Sequence, residues 1–411
     1  MHRGHTSICP TILRSRNLLK QFTDPAKDFV HSIVPDDKFI SSILDNIGAH
    51  TLTFPLLERN LTTIDANVMW PLFTGGKRIF ATRIGNRMVD LAKAGREEAG
   101  ATLQSELVET YYALRLAQRV VDVREQTFLG LQKHYRNAMK LEKNGMINKA
   151  ERLFAQVTMD EARRELESAR KDLNVAQNAL KVLLNVEDAT SINPSSPLFM
   201  NHDLPDELYF KNLVSTGNYI VSKLRIQEVM ADNQLKISKS AYIPTIALFG
   251  KQTLYADNLP KNLMPRTLIG VGFTWNIFDG LNREANIRQA RLTKQTLQLG
   301  REKVQNELGV LVDKLYSEIQ NAKDDVAALN TTIEMSRELV RIRKKSFQEG
   351  MATSTDVIDA ETMLSKVQIA FLLAYYKYDV ALASLLSTCG MPESFWQYSR
   401  TGQTENFIFG K

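Results

Sequence analysis

The sequence predicts a mainly α fold with β hairpins, built from one structural unit that occurs twice. Three features support this class: an internal duplication, long heptad patterns, and short segments of alternating apolar and polar residues. The duplication is clearest where 70–75 (WPLFTG) returns as 275–280 (WNIFDG), and the shift of 205 (275 − 70) holds for more than a hundred further residues. A register kept over that length indicates that each copy is one uninterrupted piece of structure.

Each copy contains a predicted helical hairpin, because apolar residues recur alternately four and three apart, the spacing of a supercoiled helix. The seam of the second copy is Leu308, Val312, Leu315, Ile319, Ala322, Val326, Leu329 and Ile333. The matching positions of the first copy are Leu103, Leu107, Thr110, Leu114, Ala117, Val121, Arg124 and Phe128. Returning seams run from Met159 to Leu180 and from Leu364 to Leu385. The outgoing helices, about 77–144 and 282–349, are each roughly 100 Å long at ~1.5 Å per residue.

Sharp turns are predicted where the outgoing helices end. Gly145 and Gly350 occupy matching positions, and a glycine there suits a left-handed residue that terminates a helix. Thr353 followed by Asp356 has the spacing of a capping box that starts the returning helix.

Immediately before each long helix the period changes from 3.5 to 2, which predicts a strand with one apolar face. Trp70 lies on that face in the first copy, and Val271, Phe273 and Trp275 lie on it in the second. A strand with lipid outside and a watery lumen inside has this pattern. A half-buried strand on a soluble core has it too, but a strand joined directly to such a long helix has no obvious soluble core to cover.

Second strands complete two β hairpins. In the second copy a strand opens near Tyr242 and turns around 258–260, and its counterpart in the first copy is 9–13 (CPTIL). Amphipathic residues between 29 and 47 predict helical turns inside a long loop of the first hairpin.

The predicted domain boundaries divide the whole chain. They are 1–76 for the first β hairpin with its loop insertion, 77–184 for the first long helical hairpin, 185–207 for a crossover linker, 208–241 for a helix, 242–281 for the second β hairpin, 282–389 for the second long helical hairpin, and 390–411 for a C-terminal tail. The first copy has no room for a counterpart of helix 208–241. We therefore expect that Met1 is not the natural start, and that a signal sequence and a helix of about 30 residues are encoded upstream.

Composition argues against several classes of function. The net charge of +6 is spread over residues of both signs, whereas a nucleic-acid footprint needs a clustered basic patch. Two cysteines and six histidines without ligand spacing predict no disulfide framework, no metal site and no cofactor. Without a nucleophile motif or a phosphate-binding loop, we expect no enzyme activity. No uninterrupted apolar run approaches the ~18 residues of a membrane-spanning helix, so entry into a bilayer would have to use strands.

A duplicated strand hairpin and helical hairpin with the junction W-x-[LI]-F-x-G resembles the outer-membrane efflux proteins typified by TolC, over roughly 10–390. The resemblance implies a homotrimer in which each chain gives four strands to a twelve-stranded β-barrel, continued by an α-helical tunnel in the periplasm. It also implies a periplasmic adaptor (membrane fusion) protein, an inner-membrane pump, and a place in the cell outer membrane in contact with its lipid. Physical reasoning favours oligomerisation as well, because four strands cannot close a barrel and open sheet edges are not tolerated in lipid.

The resemblance assigns roles to both helical turns. It implies that the adaptor docks at Gly145, Met146, Gly350 and Met351. It also implies that Asp356 and Asp359 line a constricted pore entrance, with Glu151 at the matching place in the first copy. Three copies would ring the axis with carboxylates, which we expect to favour cations and to raise the pKa of one another. Alternatively, acids in a first helical turn merely favour the helix dipole.

One position departs from the family pattern. The prototype holds its entrance shut partly through an arginine two residues after the turn glycine, and this chain has Ala352 there. Lys149 on the opposite turn is a cation in a different place. The sequence therefore does not identify the residue that would hold the entrance shut.

The predicted function is a passive export duct in a tripartite efflux or type I secretion system, opened by the adaptor. The alternative is a non-catalytic coiled-coil scaffold or adaptor protein whose strands form a small soluble cap. Two strands with apolar faces favour the duct. The sequence names neither the exported substrate, nor the pump, nor a lipid anchor.

Overall fold

A computed structural model describes residues 62–187, 192–257 and 265–405. The elements in chain order are β1 (Thr62–Phe73), α1 (Lys77–Lys143), α2 (Lys149–Leu184), β2 (Phe199–Met200), α3 (Glu207–Gly217), α4 (Tyr219–Ser240), β3 (Thr245–Asp257), β4 (Thr267–Thr274), α5 (Asn282–Gln348), α6 (Ser354–Thr388), a 3₁₀ turn (Pro392–Ser394), α7 (Phe395–Thr401) and β5 (Gln403–Thr404). Contacts divide the chain into a unit holding the long strands and a unit holding the helices. The predicted strand 9–13, its loop insertion and the turn at 258–260 lie outside the described residues.

The strand unit contains a three-stranded sheet in the order β1-β3-β4. Asp65 on β1 accepts a hydrogen bond from the Thr253 hydroxyl on β3 at 2.6 Å, and Lys251 lies 3.0 Å from the same carboxylate. These three side chains share one face of the sheet, because residues two apart on a strand point the same way. The alternation predicted from sequence continues to Ile277, but β4 ends at Thr274.

Both long outgoing helices are confirmed, and α1 and α5 contain 67 residues each. Gly145 and Gly350 have φ values of 70° and 76°, the left-handed conformation expected at these turns. At the first turn the Met146 N–H donates to the Leu141 carbonyl and the Gly145 N–H to the Glu142 carbonyl, and the second turn repeats this pattern. The two turns are therefore Schellman motifs.

The seam predicted for the first copy is wrong, although the second-copy seam is correct. Leu103 is 54% exposed, whereas its counterpart Leu308 is buried. Apart from Leu114, which belongs to the predicted seam, the buried residues of α1 lie on a shifted face: Ile84, Ala94, Ala101, Val108, Tyr112, Val123, Thr127, Leu131, His134 and Ala138. The neighbours explain the difference, because α1 packs against α2, α4 and α6, whereas α5 packs against α3, α4 and α6.

The single helix predicted over 208–241 is two helices, α3 and α4. Asn218 ends the first and caps the second, since its Oδ1 accepts hydrogen bonds from the N–H groups of Ile220 and Val221. Its amide also donates to the Thr388 carbonyl at 2.8 Å. A Cβ on Gly217 would lie 2.7 Å from the Cys389 carbonyl oxygen, so the α3 end and the α6 end pack backbone to backbone.

The helical unit has two buried cores. The smaller joins both hairpins near their turns, with Leu131, Ala138, Ala155, Met159, Ala162, Phe347, Val357 and Ile358. The larger core includes β2, α3, α7 and the remaining parts of α1, α5 and α6. By length and composition α6 would suffice to cross a membrane, but most of its apolar stretch is buried in this unit, as in the core helix of a bundle.

Candidate functional site

The helical turns lie at the same end of the helical unit. The Glu151 carboxylate on α2 accepts a hydrogen bond from the Ser354 N–H, the first residue of α6, at 3.3 Å. Met146 and Met351 follow the turn glycines and are 58% and 72% exposed. In Schellman turns a hydrophobic residue at this position often packs against the helix. Here both methionines are exposed instead, so each turn presents an apolar side chain to solvent.

Asp356 forms the predicted capping box. Its carboxylate accepts from the Thr353 N–H at 2.9 Å, and the Thr353 hydroxyl accepts from the Asp356 N–H. Arg343 on α5 lies 3.1 Å from the same carboxylate. The hydrogen bonds from Thr353 and then the charge of Arg343 lower the pKa of Asp356. Within a single chain the local donors therefore lower this pKa, and the rise expected from neighbouring copies in a trimer stays a prediction.

The other two predicted entrance acids have different surroundings. Asp359 lies one helical turn further along α6 and is exposed, and within the described residues it has no charged partner. Glu151 is the third residue of α2, the position that Asp356 occupies in α6. Glu151 thus connects the two copies, Asp356 is held by its own turn, and Asp359 is the acid whose charge is most available to solvent.

A buried histidine, missed by the sequence analysis, joins the copies beside the turns. His134 on α1 is 4% exposed, lies 2.7 Å from the Ser354 hydroxyl and packs its ring 4.6 Å from the Phe347 ring. Burial, and secondly the charge of Lys344, lower the pKa of His134 to about 4. The imidazole is therefore neutral at neutral pH. A lone histidine in a heptad gives no signal in sequence, because its partner is 220 residues away.

A polar cavity of about 430 Å³ opens between α1, α5 and α6, and its lining residues on α1 precede His134 by about one to two helical turns. Glu361 is buried in its wall, forms an ion pair with Lys344, and lies against Gly130 of α1. The remaining lining residues are Gln126, Thr127, Arg337, Val340, Leu364, Ser365 and Gln368. Polar side chains thus occupy part of the contact between the two hairpins.

Position 352, where the family prototype has an arginine that helps to close the entrance, makes packing contacts and no ion pair, because it is an alanine. Ala352 is half-buried and packs on the smaller core, and Lys149 is exposed. Near the turns, Arg152 on α2 lies 2.7 Å from Glu142 on α1, in addition to the pair between Arg343 and Asp356. Each of these ion pairs joins the two helices of one hairpin.

The residues predicted to face lipid are exposed in the single chain. Trp70, Val271 and Phe273 are all more than half exposed. Trp275 lies just beyond β4, and its indole N–H donates to the Tyr242 carbonyl at 3.2 Å. Asp65 and Thr253 occupy the opposite face of the sheet, so the predicted division into an apolar and a polar face is present. The described residues contain no group of three His, Cys, Asp or Glu side chains that could hold a metal ion.

Two curated proteins are similar to the chain. Outer membrane efflux protein BepC of Brucella suis biovar 1 is 23% identical over 287 residues, which cover 69% of this chain and 62% of that protein. Alkaline protease secretion protein AprF of Pseudomonas aeruginosa is 22% identical over 293 residues, covering 69% and 60%. The chain therefore spans about three-fifths of the length of these relatives.

Solved structures share the fold. VceC of Vibrio cholerae superposes with a TM-score of 0.69 at 17% identity, covering 80% of both chains. The open state of MtrE of Neisseria gonorrhoeae gives a TM-score of 0.67 at 17% identity, covering 82% of this chain and 81% of that one. Both are outer-membrane proteins by description.

A family profile described as "Outer membrane efflux protein" matches residues 58–186 and 220–391. The matched segments contain both long helical hairpins, β1 and the β3-β4 hairpin. They make up most of the chain and agree with the shared fold, so this protein belongs to the outer membrane efflux protein family and its place is the outer membrane.

Proposed function

We propose that the chain is the outer-membrane channel of a tripartite efflux or type I secretion system, a passive duct that carries substrates outward. The names of its relatives support both kinds of cargo, since one is an efflux protein and the other serves secretion of an alkaline protease. The duct would work with an inner-membrane pump and a periplasmic adaptor. The family describes transport and not catalysis, which supports a non-enzymatic role.

The single observation that carries the proposal is the two-faced sheet. Its apolar face bears Trp70, Val271 and Phe273 exposed, and its polar face bears the pair of Asp65 and Lys251. Such a sheet is stable in lipid only if its edges are closed. Three described strands and a predicted fourth are too few to enclose a barrel, so we infer a homotrimer with a twelve-stranded barrel.

The helical turns supply the proposed contacts with the adaptor and the proposed pore entrance. Met146 and Met351 are exposed beside the left-handed Gly145 and Gly350, and flexible methionine side chains suit adaptable protein interfaces. We assign the adaptor to these four residues. We assign the pore entrance to Asp356, Asp359 and Glu151, in which Asp359 contributes the most available charge.

The test is the oligomeric mass of the detergent-solubilised protein combined with planar bilayer recordings. We expect a mass near three protomers and stepwise conductance after insertion. A stable monomer in the absence of detergent, with no conductance, would support the coiled-coil scaffold and overturn the duct.

Adaptor docking has a separate test. Replacing Met146 and Met351 with Ser should weaken binding of a periplasmic adaptor's helical tip while leaving conductance in a planar bilayer unchanged. The matched control is Met335→Ser on α5, since Met335 is 68% exposed and lies about 20 Å from the turn along the helix, at ~1.5 Å per residue. Equal loss of adaptor binding in both variants would contradict docking at the turns.

A further inference from the structure

Basic residues concentrate where the chain passes between the long strands and the helical unit. The first thirteen residues of α1 (77–89) and of α5 (282–294) and the last nine of α4 (232–240) together contain ten basic residues and two acidic ones. The whole chain carries a net charge of only +6, so the remainder of the chain is slightly acidic. The even spread of charge indicated by composition therefore does not extend to these three helix ends.

Contacts join the three helix ends into one surface. The Asp232 carboxylate on α4 lies 2.7 Å from Lys236 on the same helix and 2.6 Å from Lys294 on α5. The Lys236 ammonium group also lies 5.9 Å from the centre of the Phe80 ring on α1. The end of α4 thus lies against the beginnings of both long helices, and the basic side chains of all three share one end of the helical unit.

Half of the ten basic side chains are exposed and have no acidic partner among the described residues. These five, which we call the basic patch, are Arg78, Arg83, Lys239, Arg288 and Arg291. The nearby acids are engaged elsewhere, since Asp90 pairs with Arg87 and Asp279 with Arg283. The Glu284 carboxylate accepts a hydrogen bond from a tyrosine hydroxyl at 2.6 Å. The positive charge of the basic patch is therefore not neutralised by the described part of the chain.

Helix stability does not explain the basic patch. Basic side chains are favourable at the C-terminal end of a helix, which accounts for Lys239, and unfavourable in the first turn. Arg78 lies in the first turn of α1, and that turn has no acidic residue. Arg288 and Arg291 lie beyond the first turn of α5, where the helix dipole has little effect. An anion outside the chain would offset the repulsion among these cations.

Exposed apolar side chains adjoin the basic patch on the connection between β4 and α5. Ile277, Phe278 and Leu281 are 74%, 80% and 66% exposed. Apolar residues beside basic ones are typical of a membrane surface, where apolar groups enter the acyl boundary and cations meet the headgroups. Phe73 at the end of β1 and Lys77 at the start of α1 are at most about 15 Å apart, because consecutive Cα atoms are ~3.8 Å apart. The basic patch therefore begins close to the strands that we propose to lie in lipid.

We propose that the basic patch binds the phosphate groups of anionic phospholipids where the strands leave the outer membrane. Arginine suits this role, since a guanidinium group can bind a phosphate through two parallel hydrogen bonds. Basic residues beside a membrane-spanning segment are attracted to anionic headgroups, and the attraction falls off within a Debye length. The inference rests on the proposed function in one respect, because it requires the strands to lie in lipid.

Quenching of tryptophan fluorescence by brominated phospholipids tests the proposal in the reconstituted full chain. Trp70 and Trp275 are more than half exposed, so brominated phosphatidylcholine should quench the wild type if the strands lie in lipid. In mixed bilayers, phosphatidylglycerol should associate with the wild type about fivefold more tightly than phosphatidylcholine, the preference expected when one basic residue engages each headgroup. This ratio should fall as the salt concentration rises. The combined variant Arg78→Gln, Lys239→Gln and Arg288→Gln, with one change on each helix, should bring the ratio close to 1.

The matched control removes three positive charges elsewhere: Lys133→Gln, Lys171→Gln and Lys366→Gln. These lysines are exposed on α1, α2 and α6 away from the basic patch, so the control should keep the wild-type ratio.

The outcomes separate the two proposals. A wild type that neither lipid quenches would overturn the proposed function, because the strand tryptophans would not contact lipid. Quenching with no preference for phosphatidylglycerol, or with an equal loss of preference in both variants, would overturn only the role of the basic patch. Altered ion selectivity in planar bilayers at an unchanged lipid preference would likewise overturn that role, because the basic side chains would then line the channel.

Discussion

Nε2 of His134 lies 2.7 Å from Oγ of Ser354, and this buried hydrogen bond joins α1 of the first copy to the first turn of α6 in the second. The Ser354 N–H binds Glu151 on α2, so one residue at the start of α6 contacts both helices of the other hairpin. The ring of Phe347 covers the imidazole. This junction requires an uncharged histidine, because a buried imidazolium would lie near the ammonium group of Lys344.

Acid pH should therefore weaken the helical unit through His134. Its pKa is about 4 in the folded protein against an ordinary 6.5, so the folded state binds fewer protons than the unfolded state. The contribution of His134 to the free energy of unfolding is fully present above about pH 6.5. It is lost as the pH falls toward about 4, which lowers the free energy of unfolding by roughly 2–3 kcal/mol. Urea unfolding between these values should show a pH slope that His134→Gln reduces. His202→Gln, at an exposed histidine, should keep the wild-type slope, and an unchanged slope in His134→Gln would contradict the assignment.

Position 130 should require a glycine because of its contact with Glu361, and not because of its backbone conformation. A Cβ at residue 130 would lie 2.8 Å from Oε1 of Glu361, which is buried and ion-paired with Lys344. Overpacking of about 1–3 kcal/mol should therefore cancel or exceed the helix-propensity gain of about 1 kcal/mol in Gly130→Ala. Gly309→Ala, in open space on α5, should show only the gain. If thermal unfolding shows the two variants equally stabilised, Glu361 does not constrain this position.

The sequence predicts local structure well where one pattern decides it. The long helices, their glycine turns and the capping box at Thr353 depend on residues within a few positions of each other, and all three are confirmed. The break at Asn218 was missed, although a glycine followed by an N-cap residue was visible. The duplication itself misled the interpretation of α1, since equal sequence positions in two copies have unequal neighbours.

A second seam on α6 could not be found by hydrophobicity. A second set of buried residues on α6 follows the same four-three spacing: Ser354, Ile358, Glu361, Ser365, Gln368, Leu372, Tyr375, Asp379, Leu382 and Leu386. Half of them are polar, so the stripe has no apolar signal. The contacts that satisfy these groups come from residues far away in sequence, such as His134 and Gly130. For the same reason, the sequence indicated which acids lie at the turns but not which partners hold them.

The two acids that α6 contributes to the proposed entrance, Asp356 and Asp359, should have different roles. Asp356→Asn removes a capping carboxylate and the partner of Arg343, so the melting temperature should fall by a few degrees. Asp359→Asn touches no such contact and should leave the melting temperature unchanged while lowering cation selectivity in planar bilayers. Glu151→Gln should have a smaller effect on selectivity, because its carboxylate is engaged by Ser354. The reverse assignment, with selectivity lost only in Asp356→Asn, would contradict the role of Asp359.

The faces of the strand sheet provide the last prediction. Val271 and Phe273 are exposed on the apolar face, and an arginine in place of either should cost about 2–4 kcal/mol if the side chain faces mid-bilayer lipid. Asn67 on β1 lies on the polar face with Asp65, two residues away, so Asn67→Arg should alter conductance with little loss of stability. Urea titration of protein folded into liposomes measures the cost, and single-channel recordings measure conductance. Equal destabilisation by arginine on both faces would show that neither face is in contact with lipid, because a bilayer penalises a charge only on the side that it covers.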